Sequence, residues 1–269
     1  MENRVVLITG GSSGIGKAIG SYLASRGFKV YGTTRDPGRY PGFTDFTLLP
    51  LEVRDPQSIE KAIATLLGRE GRLDILINNA GIGITGPVEE TPREEVLKVM
   101  ETNLLGPVEM IRQVMPVMRG QGGGLVINIT SIAGAMGLPF RGWYSASKGG
   151  LDLLTESLRM EASGSGIRLT SLAPGDFATN IAAGRYHAPV LEGSPYEARY
   201  RQSLTLMDEH VDQGQDPIRV AEKVYGIIRS KQPKVHYTVG SPMQRFSLLL
   251  KKVLPDKLYE KLLLNHYKL

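Results

Sequence analysis

An open α/β fold, a doubly wound parallel sheet of Rossmann type with helices on both faces, is what this sequence predicts, and three observations predict it. Short apolar runs alternate with amphipathic stretches along most of the 269 residues. The runs are continuously apolar, as strands buried on both faces must be. The first of them leads directly into a glycine-rich turn that opens a helix.

The elements follow in order. "RVVLIT" (4–9) is the first strand, and the amphipathic stretch 15–26 behind it ends at Gly27. "FKVYGTT" (28–34) and "FTLLPLEV" (46–53) are the second and third strands. Asp55-Pro56 opens a helix over 56–69. "LDILINNAG" (73–81) is a fourth strand running into a turn, 92–118 reads as one long helix, and "GLVINITS" (124–131) is a fifth strand. Residues 143–163 are helical and "IRLTSLAPG" (167–175) is a sixth strand. A polar, mixed segment precedes a helix over 217–229 and a strand "KVHYTVG" (234–240). With no repeat and no linker-like tract, one domain over 1–240 is expected. It carries a substrate-loop insertion at about 180–215 and is followed by an amphipathic tail, 241–269. The tail residues 246–269 read as two short helices broken at Pro255. Leu258 and Leu262, and Tyr259 and Leu263, recur at helical spacing among Lys257, Lys261 and Lys268.

Composition narrows the function. The chain is 41% hydrophobic and 22% charged, with no apolar run near 18 residues. Strand-forming residues begin at Arg4, so no secretory leader is expected. There is no cysteine, which excludes disulfides, thiolate catalysis and cysteine-ligated metals and fits a cytoplasmic protein; no metal site is expected. The net charge is +5, of which +4 lies in residues 245–269, so the body is nearly neutral and carries no nucleic-acid footprint. That basic, amphipathic tail could touch an anionic membrane surface or close over a lipophilic substrate, or it could pack on the domain or on a partner subunit.

In doubly wound sheets the ligand sits at the carboxyl ends of the strands. The turn there, "TGGSSGIG" (9–16), brings Gly10, Ser12, Ser13, Gly14, Ile15 and Gly16 to the place where a backbone can approach a pyrophosphate at a helix N-terminus. Its G-x-x-x-G-x-G spacing is wider than the usual G-x-G-x-x-G. Further on, Tyr144 stands four residues before Lys148 in "YSASK", hence on one helix face. An ammonium beside a phenol favours the phenolate, which suits a tyrosine that gives a proton to a carbonyl oxygen and takes it back. The small residues Ser145, Ala146 and Ser147 would leave room for a flat ring. Spacing alone also fits an exposed Tyr–Lys pair on an amphipathic helix.

Six motifs in order, "TGGSSGIG", "NNAG" (78–81), "NLLG" (103–106), "ITS" (129–131), "YSASK" (144–148) and "PGDFAT" (174–179), resemble those of the short-chain dehydrogenase/reductases over roughly residues 4–180. "FKVYGTTRD" and "AMGLPFRGWYSASK" are most similar to the branch that holds 17β-hydroxysteroid and retinol dehydrogenases. The resemblance implies an oxidoreductase with Tyr144 as acid/base and Lys148 as its electrostatic partner and ligand of the nicotinamide ribose. It implies Ser131 as donor to the substrate oxygen, with Thr130 as the neighbour that could be confused with it, and Asn103 as holder of a relay water. It further implies Asn79, Ala80 and Gly81 along the cofactor cleft, Asn79 also holding neighbouring strands. Glu52 and Val53 would lie at the adenine, and Pro174, Gly175, Phe177 and Thr179 at the nicotinamide. A homodimer or homotetramer is what the resemblance suggests.

The second strand ends at Thr34-Arg35, a neutral residue then a guanidinium, which suits a 2′-phosphate and predicts NADP(H) rather than NAD(H). Asp36 could instead pair with Arg35. Apolar candidates for the substrate wall, Ile84, Leu138, Trp143, Phe177 and Ile181 with Gly83, Pro139 and Phe140, favour a lipophilic ketone or secondary alcohol such as a steroid, retinoid or other lipid. Arg185, His187 and Arg199 could meet an anionic group; His187 and His210 read as surface or capping histidines. A 3-ketoacyl-carrier reductase and a non-catalytic NADP(H) sensor are the alternatives.

Overall fold

The computed structural model describes residues 3–177, 184–211 and 214–269. The elements are β1 (Val5–Ile8), α1 (Gly14–Ala24), β2 (Lys29–Thr34), β3 (Thr47–Pro50), α2 (Pro56–Glu70), β4 (Ile75–Asn78) and β5 (Ile84–Thr85). Then come α3 (Arg93–Met100), α4 (Gly106–Gly120), β6 (Gly124–Ile129), α5 (Gly142–Glu161), β7 (Ile167–Pro174), β8 (Tyr186–His187) and α6 (Glu197–Val211). α7 (Ile218–Arg229), β9 (His236–Val239), α8 (Pro242–Val253) and α9 (Asp256–His266) complete the chain. Seven parallel strands form one sheet in the order β3-β2-β1-β4-β6-β7-β9. The chain reverses its direction of travel between β1 and β4, and the crevice at that switch point lies over the turns after those two strands.

Burial on both faces explains the unbroken apolar runs. Val5 and Leu7 belong to one core cluster, shared with Ile59, Leu66, Met110 and Val114 of α2 and α4. Their neighbours Val6 and Ile8 belong to the other, shared with Ile19 and Leu23 of α1 and Val220 and Val224 of α7. One hydrogen-bonded set of polar groups crosses the interior: Asn78 Nδ2 donates to Asn128 Oδ1 at 2.9 Å, Asn128 Nδ2 to Thr155 Oγ1 at 2.9 Å, and Thr155 Oγ1 to the Leu151 carbonyl at 2.6 Å. This chain of bonds ties β4, β6 and α5 together in one register.

Two expectations change. The long helix over 92–118 is interrupted by a wide π turn at Glu101–Leu105. Pro107 carries no N–H to give the Asn103 carbonyl, and the Gly106 N–H reaches back to the Glu101 carbonyl instead. The polar segment 180–215 holds regular structure: β8 pairs with β5 in a small second sheet, and α6 packs through the fully buried Tyr200, whose hydroxyl donates to the carbonyls of Thr85 and Ala188. Thr179 and Ile181 lie outside the described residues. The tail forms two helices that break at Leu254-Pro255, the first starting at Pro242 behind a Ser241/Gln244 capping box. No helix among the described residues is long and apolar enough to cross a membrane.

Thr155→Val keeps the shape of the buried side chain but leaves an Asn128 N–H unpaired. It is expected to cost about 1–3 kcal/mol, read as a lower urea midpoint with an unchanged slope.

Candidate active site

The glycine turn packs as a cradle. Gly10 has φ +67°, open to glycine at no cost, and its carbonyl accepts from Asn79 Nδ2 at 3.1 Å. A side chain on Gly16 would collide with that same carbonyl. Asn79 also donates to the Thr9 carbonyl at 2.9 Å, so it joins the turns after β1 and β4. The N-cap of α1, Ser13, makes no side-chain cap bond and the first turn has no acid, which leaves the helix N–H groups facing the crevice. This turn, Thr34, Arg35, Glu52, Val53, Asn79, Ala80 and Gly81 line one cleft of about 470 Å³. Tyr40, Arg54 and Lys98 also line it, and nothing in their local sequence marks them.

The cleft is polar at its β2–β3 edge. Arg54 forms a two-point pair with Glu52, its Nε and Nη2 each 3.2 Å from a carboxylate oxygen. Burial pushes the Glu52 carboxyl up, but the bonds from Arg54 outweigh it and hold the group below its usual range. Asp36 does not engage Arg35: its carboxylate accepts from the Gly38 N–H at 2.9 Å and pairs with Arg39 at 3.5 Å.

A second cavity, of about 160 Å³, continues the cleft past Asn79, Gly81 and Ile82 and is lined by Ser131, Tyr144 and Lys148. Ser131 caps a short turn at Ile132–Ala135, accepting from the Ala133 N–H at 3.2 Å. Thr130 also reaches the cavity, but its buried hydroxyl turns to the Leu172 carbonyl. Lys148 is buried, and its Nζ donates to the Ile129 carbonyl at 3.0 Å. Burial lowers its pKa from 10.5 to about 8, and the field of Asp152, one turn along α5, resists the fall. Asp152 is itself pushed up by burial and stands 3.6 Å from His236, whose other nitrogen is 2.9 Å from Glu156.

Asn103 is fully buried in the π turn. Its Oδ1 accepts from the Ile82 N–H at 2.9 Å; its Nδ2 donates to the Ile82 carbonyl at 2.9 Å and to Ser147 Oγ at 3.1 Å. A side chain on Gly81 would come within 3.2 Å of Lys148 Nζ and 3.3 Å of Asn103 Oδ1. The three residues therefore meet at one point. The small residues after Tyr144 do not open room for a ring: Ser145 and Ser147 turn into the fold and Ala146 faces solvent.

Of the expected substrate wall, Phe177 lines this second cavity, as do Pro174 and Gly175. Ile84 is sealed in a small core with Val96 and Val99, against which Trp143 and Tyr144 pack. Trp143 Nε1 is tied to the Val88 carbonyl at 3.2 Å, and Leu138 is half-buried outside the cavity lining. Arg185 lines the cavity; His187 lies in β8 beside Thr85. Arg141, Leu206, Met207, His266 and Tyr267 complete the cavity from elements distant in sequence.

The model of a family described as short chain dehydrogenase matches residues 4–189. A 3-ketodihydrosphingosine reductase of Bacteroides thetaiotaomicron is 34% identical over 97% of this chain and 96% of its own length. The 17-beta-hydroxysteroid dehydrogenase type 1 of Homo sapiens is 35% identical over 95% of this chain and 82% of its own. A short-chain dehydrogenase from Streptomyces avermitilis superposes with a TM-score of 0.80 at 28% identity, covering 100% of this chain and 97% of that one.

The buried ammonium carries a stability cost with a definite pH dependence. Below about pH 8 Lys148 is charged in both folded and unfolded chains and the burial penalty is fully present. Between about 8 and 10.5 the folded chain sheds the proton first, so the penalty fades as pH rises. Each tenfold loss of proton affinity on folding corresponds to about 1.4 kcal/mol, and the bond to Ile129 returns part of it. Lys148→Met is therefore expected to gain about 1–3 kcal/mol at pH 7 and less at pH 10. Urea unfolding at the two pH values checks it.

Proposed function

The chain belongs to the short-chain dehydrogenases and is an oxidoreductase of alcohol and carbonyl groups, and from that premise we propose that it is an NADP(H)-dependent reductase of a lipophilic ketone. The observation that carries the reading is the convergence of Tyr144, Ser131 and Lys148 on one cavity contiguous with a glycine-cradled cleft. The residues fit a dinucleotide: Gly16 lets the turn close on the Gly10 carbonyl and Asn79, and the uncapped end of α1 offers N–H groups to phosphate. Gly10 through Gly16 would hold the pyrophosphate, Glu52 and Val53 the adenine, and Pro174, Gly175 and Phe177 the nicotinamide. When bound, the dinucleotide supplies the hydride.

Tyr144 gives its phenolic proton to the carbonyl oxygen in the reductive direction and recovers it in the reverse. Ser131 donates a hydrogen bond to the same oxygen, where negative charge gathers. Lys148 sets a positive charge beside them and would reach the nicotinamide ribose. Both amide hydrogens of Asn103 are taken by Ile82 and Ser147, so a relay water there would be held by an oxygen, either its Oδ1 or a backbone carbonyl.

Arg35, with Asp36 turned to Arg39, supports a 2′-phosphate as its partner. Leu206, Met207, Ile82 and Phe177 support an apolar substrate body, and two relatives above 30% identity act, by their names, on 3-ketodihydrosphingosine and a 17-beta-hydroxysteroid. Arg141 and Arg185 in the same cavity favour a second reading, a 3-ketoacyl thioester with an anionic carrier. The exposed Leu97, Leu105, Leu153 and Met160 support a homodimer or homotetramer, and the absence of cysteine a cytoplasmic setting.

Tyr144→Phe is expected to lower kcat by about 10²–10⁴-fold while leaving dinucleotide affinity within a few-fold, measured by NADPH oxidation across a ketone panel and by NADPH fluorescence titration. A variant as fast as wild type refutes the proton-donor assignment. Arg35→Ala is expected to cut the preference for NADPH over NADH by about 10–100-fold in kcat/KM; an unchanged ratio removes Arg35 from cofactor selection.

A further inference from the structure

The C-terminal helices carry an apolar surface that the catalytic cavity does not use. α8 exposes Phe246, Leu249 and Val253, which are 52, 55 and 67% accessible, with Met243 at 76%. At about 100° per residue the first three fall within about 60° of arc, and Arg245 and Lys252 run along one side of them. α9 repeats the arrangement: Leu258 and Leu262 are exposed one turn apart, with Lys257 and Lys261 beside them. The helices are seated on the domain. Gln244 donates to Asp176 at 2.6 Å, and the buried Tyr259 places its hydroxyl 2.9 Å from the Met136 sulfur. A single exposed leucine is ordinary, whereas a stripe on two successive helices with basic flanks is not.

Charge decides the occupant. From Ser241 onward six lysines and arginines face two carboxylates, and one of these, Asp256, is already paired with Lys251 at 3.0 Å. A second copy of this face would set like charge against like; an anionic lipid surface brings the opposite sign and takes apolar side chains below it. We infer that α8, with α9 beside it, docks the chain on an anionic phospholipid bilayer. Phe246, Leu249 and Val253 enter the acyl boundary while Arg245, Lys252, Lys257 and Lys261 meet headgroup phosphates. The inference deepens the proposed lipophilic substrate and rests on that reading for its purpose alone. His266 and Tyr267 at the end of α9 line the catalytic cavity, and Gln244 in the first turn of α8 holds Asp176 on its lining, so the docked helices border the way in for a membrane-resident ketone.

Flotation of the full-length protein with phosphatidylcholine vesicles, with and without phosphatidylglycerol, tests this. The wild type is expected to float with the phosphatidylglycerol vesicles and to be released by high salt. F246S/L249S/V253S is expected to stay in the soluble fraction, its partition coefficient down at least about tenfold. R245E/K252E, with the apolar stripe intact, is expected to lose the preference for phosphatidylglycerol. Turnover of a short, water-soluble ketone stays equal in all three proteins, and turnover of a long-chain ketone carried in the vesicles falls in both variants. Wild type that does not float, or a triple variant that floats equally well, overturns the inference. So does a triple variant that loses self-association in light scattering while its flotation is unchanged, which makes the stripe a subunit interface. Flotation needs no turnover, so a chain that floats but reduces no ketone refutes the proposed reaction and upholds the docking surface.

Discussion

A single buried ammonium sets the demands that the carboxyl end of the sheet meets. Lys148 Nζ lies inside the fold with the Ile129 carbonyl as its hydrogen-bond acceptor and Asp152 one turn away to favour its charge. An ammonium out of water is expensive unless oxygen atoms face it. The carboxyl end of β6 must therefore bring its last carbonyl to α5, and the turn after β4 must pass close by with no side chain at Gly81. Asn103 answers the last requirement, since its two-way bond to Ile82 fixes that turn and its bond to Ser147 fixes α5 beside it. The helix that carries Asn103 widens into a π turn at that point, a local departure from regularity that serves the site.

The sheet places this cluster where a ligand can reach it. Because β1 and β4 are neighbours while their connections run to opposite sides, the turns after them diverge and leave a crevice. Asn79 prevents those turns from parting, and the Asn78–Asn128–Thr155 chain keeps β4 and β6 in step beneath them. A slip of one residue between β4 and β6 would turn Asn78 and Asn128 to the wrong faces and separate Ile129 from Lys148. The register of the strands and the placement of the buried Lys148 are thus linked.

The sheet strands, the glycine turn and the spacing that brings Tyr144 and Lys148 to one cavity are legible in the sequence because their signals are local. A strand buried on both faces reads as an apolar run, and a glycine cradle or a Tyr–Lys pair has a fixed spacing. What is not legible depends on packing at a distance. Tyr200 makes α6 a core helix only because Thr85 and Ala188 offer carbonyls to its hydroxyl, and the surrounding sequence is polar. Leu206, Met207, His266 and Tyr267 reach the cavity beside Tyr144 and Lys148 from segments with no motif at all. The run Ser145-Ala146-Ser147 misleads for a related reason. Small size suggests the ligand side, whereas the helical period sends Ser145 and Ser147 inward and Ala146 to solvent. Asp36 is equally open in sequence, since its choice of Arg39 over Arg35 depends on the turn it caps.

The tail brings these levels together. Its sequence shows amphipathic periodicity, but periodicity alone does not say which face is covered. The structure divides the residues. Tyr259 and Gln244 are committed to the domain, while Phe246, Leu249 and Val253 are left to solvent. An exposed stripe of this kind loses free energy to water unless something covers it, and the surrounding lysines disfavour a like-charged cover. The same two helices also reach the cavity beside Tyr144 and Lys148 through His266, Tyr267 and the Gln244–Asp176 bond. Whatever covers the stripe therefore acts on the mouth of the site as well as on the solubility of the chain, because α8 and α9 cannot shift without moving residues that line the cavity.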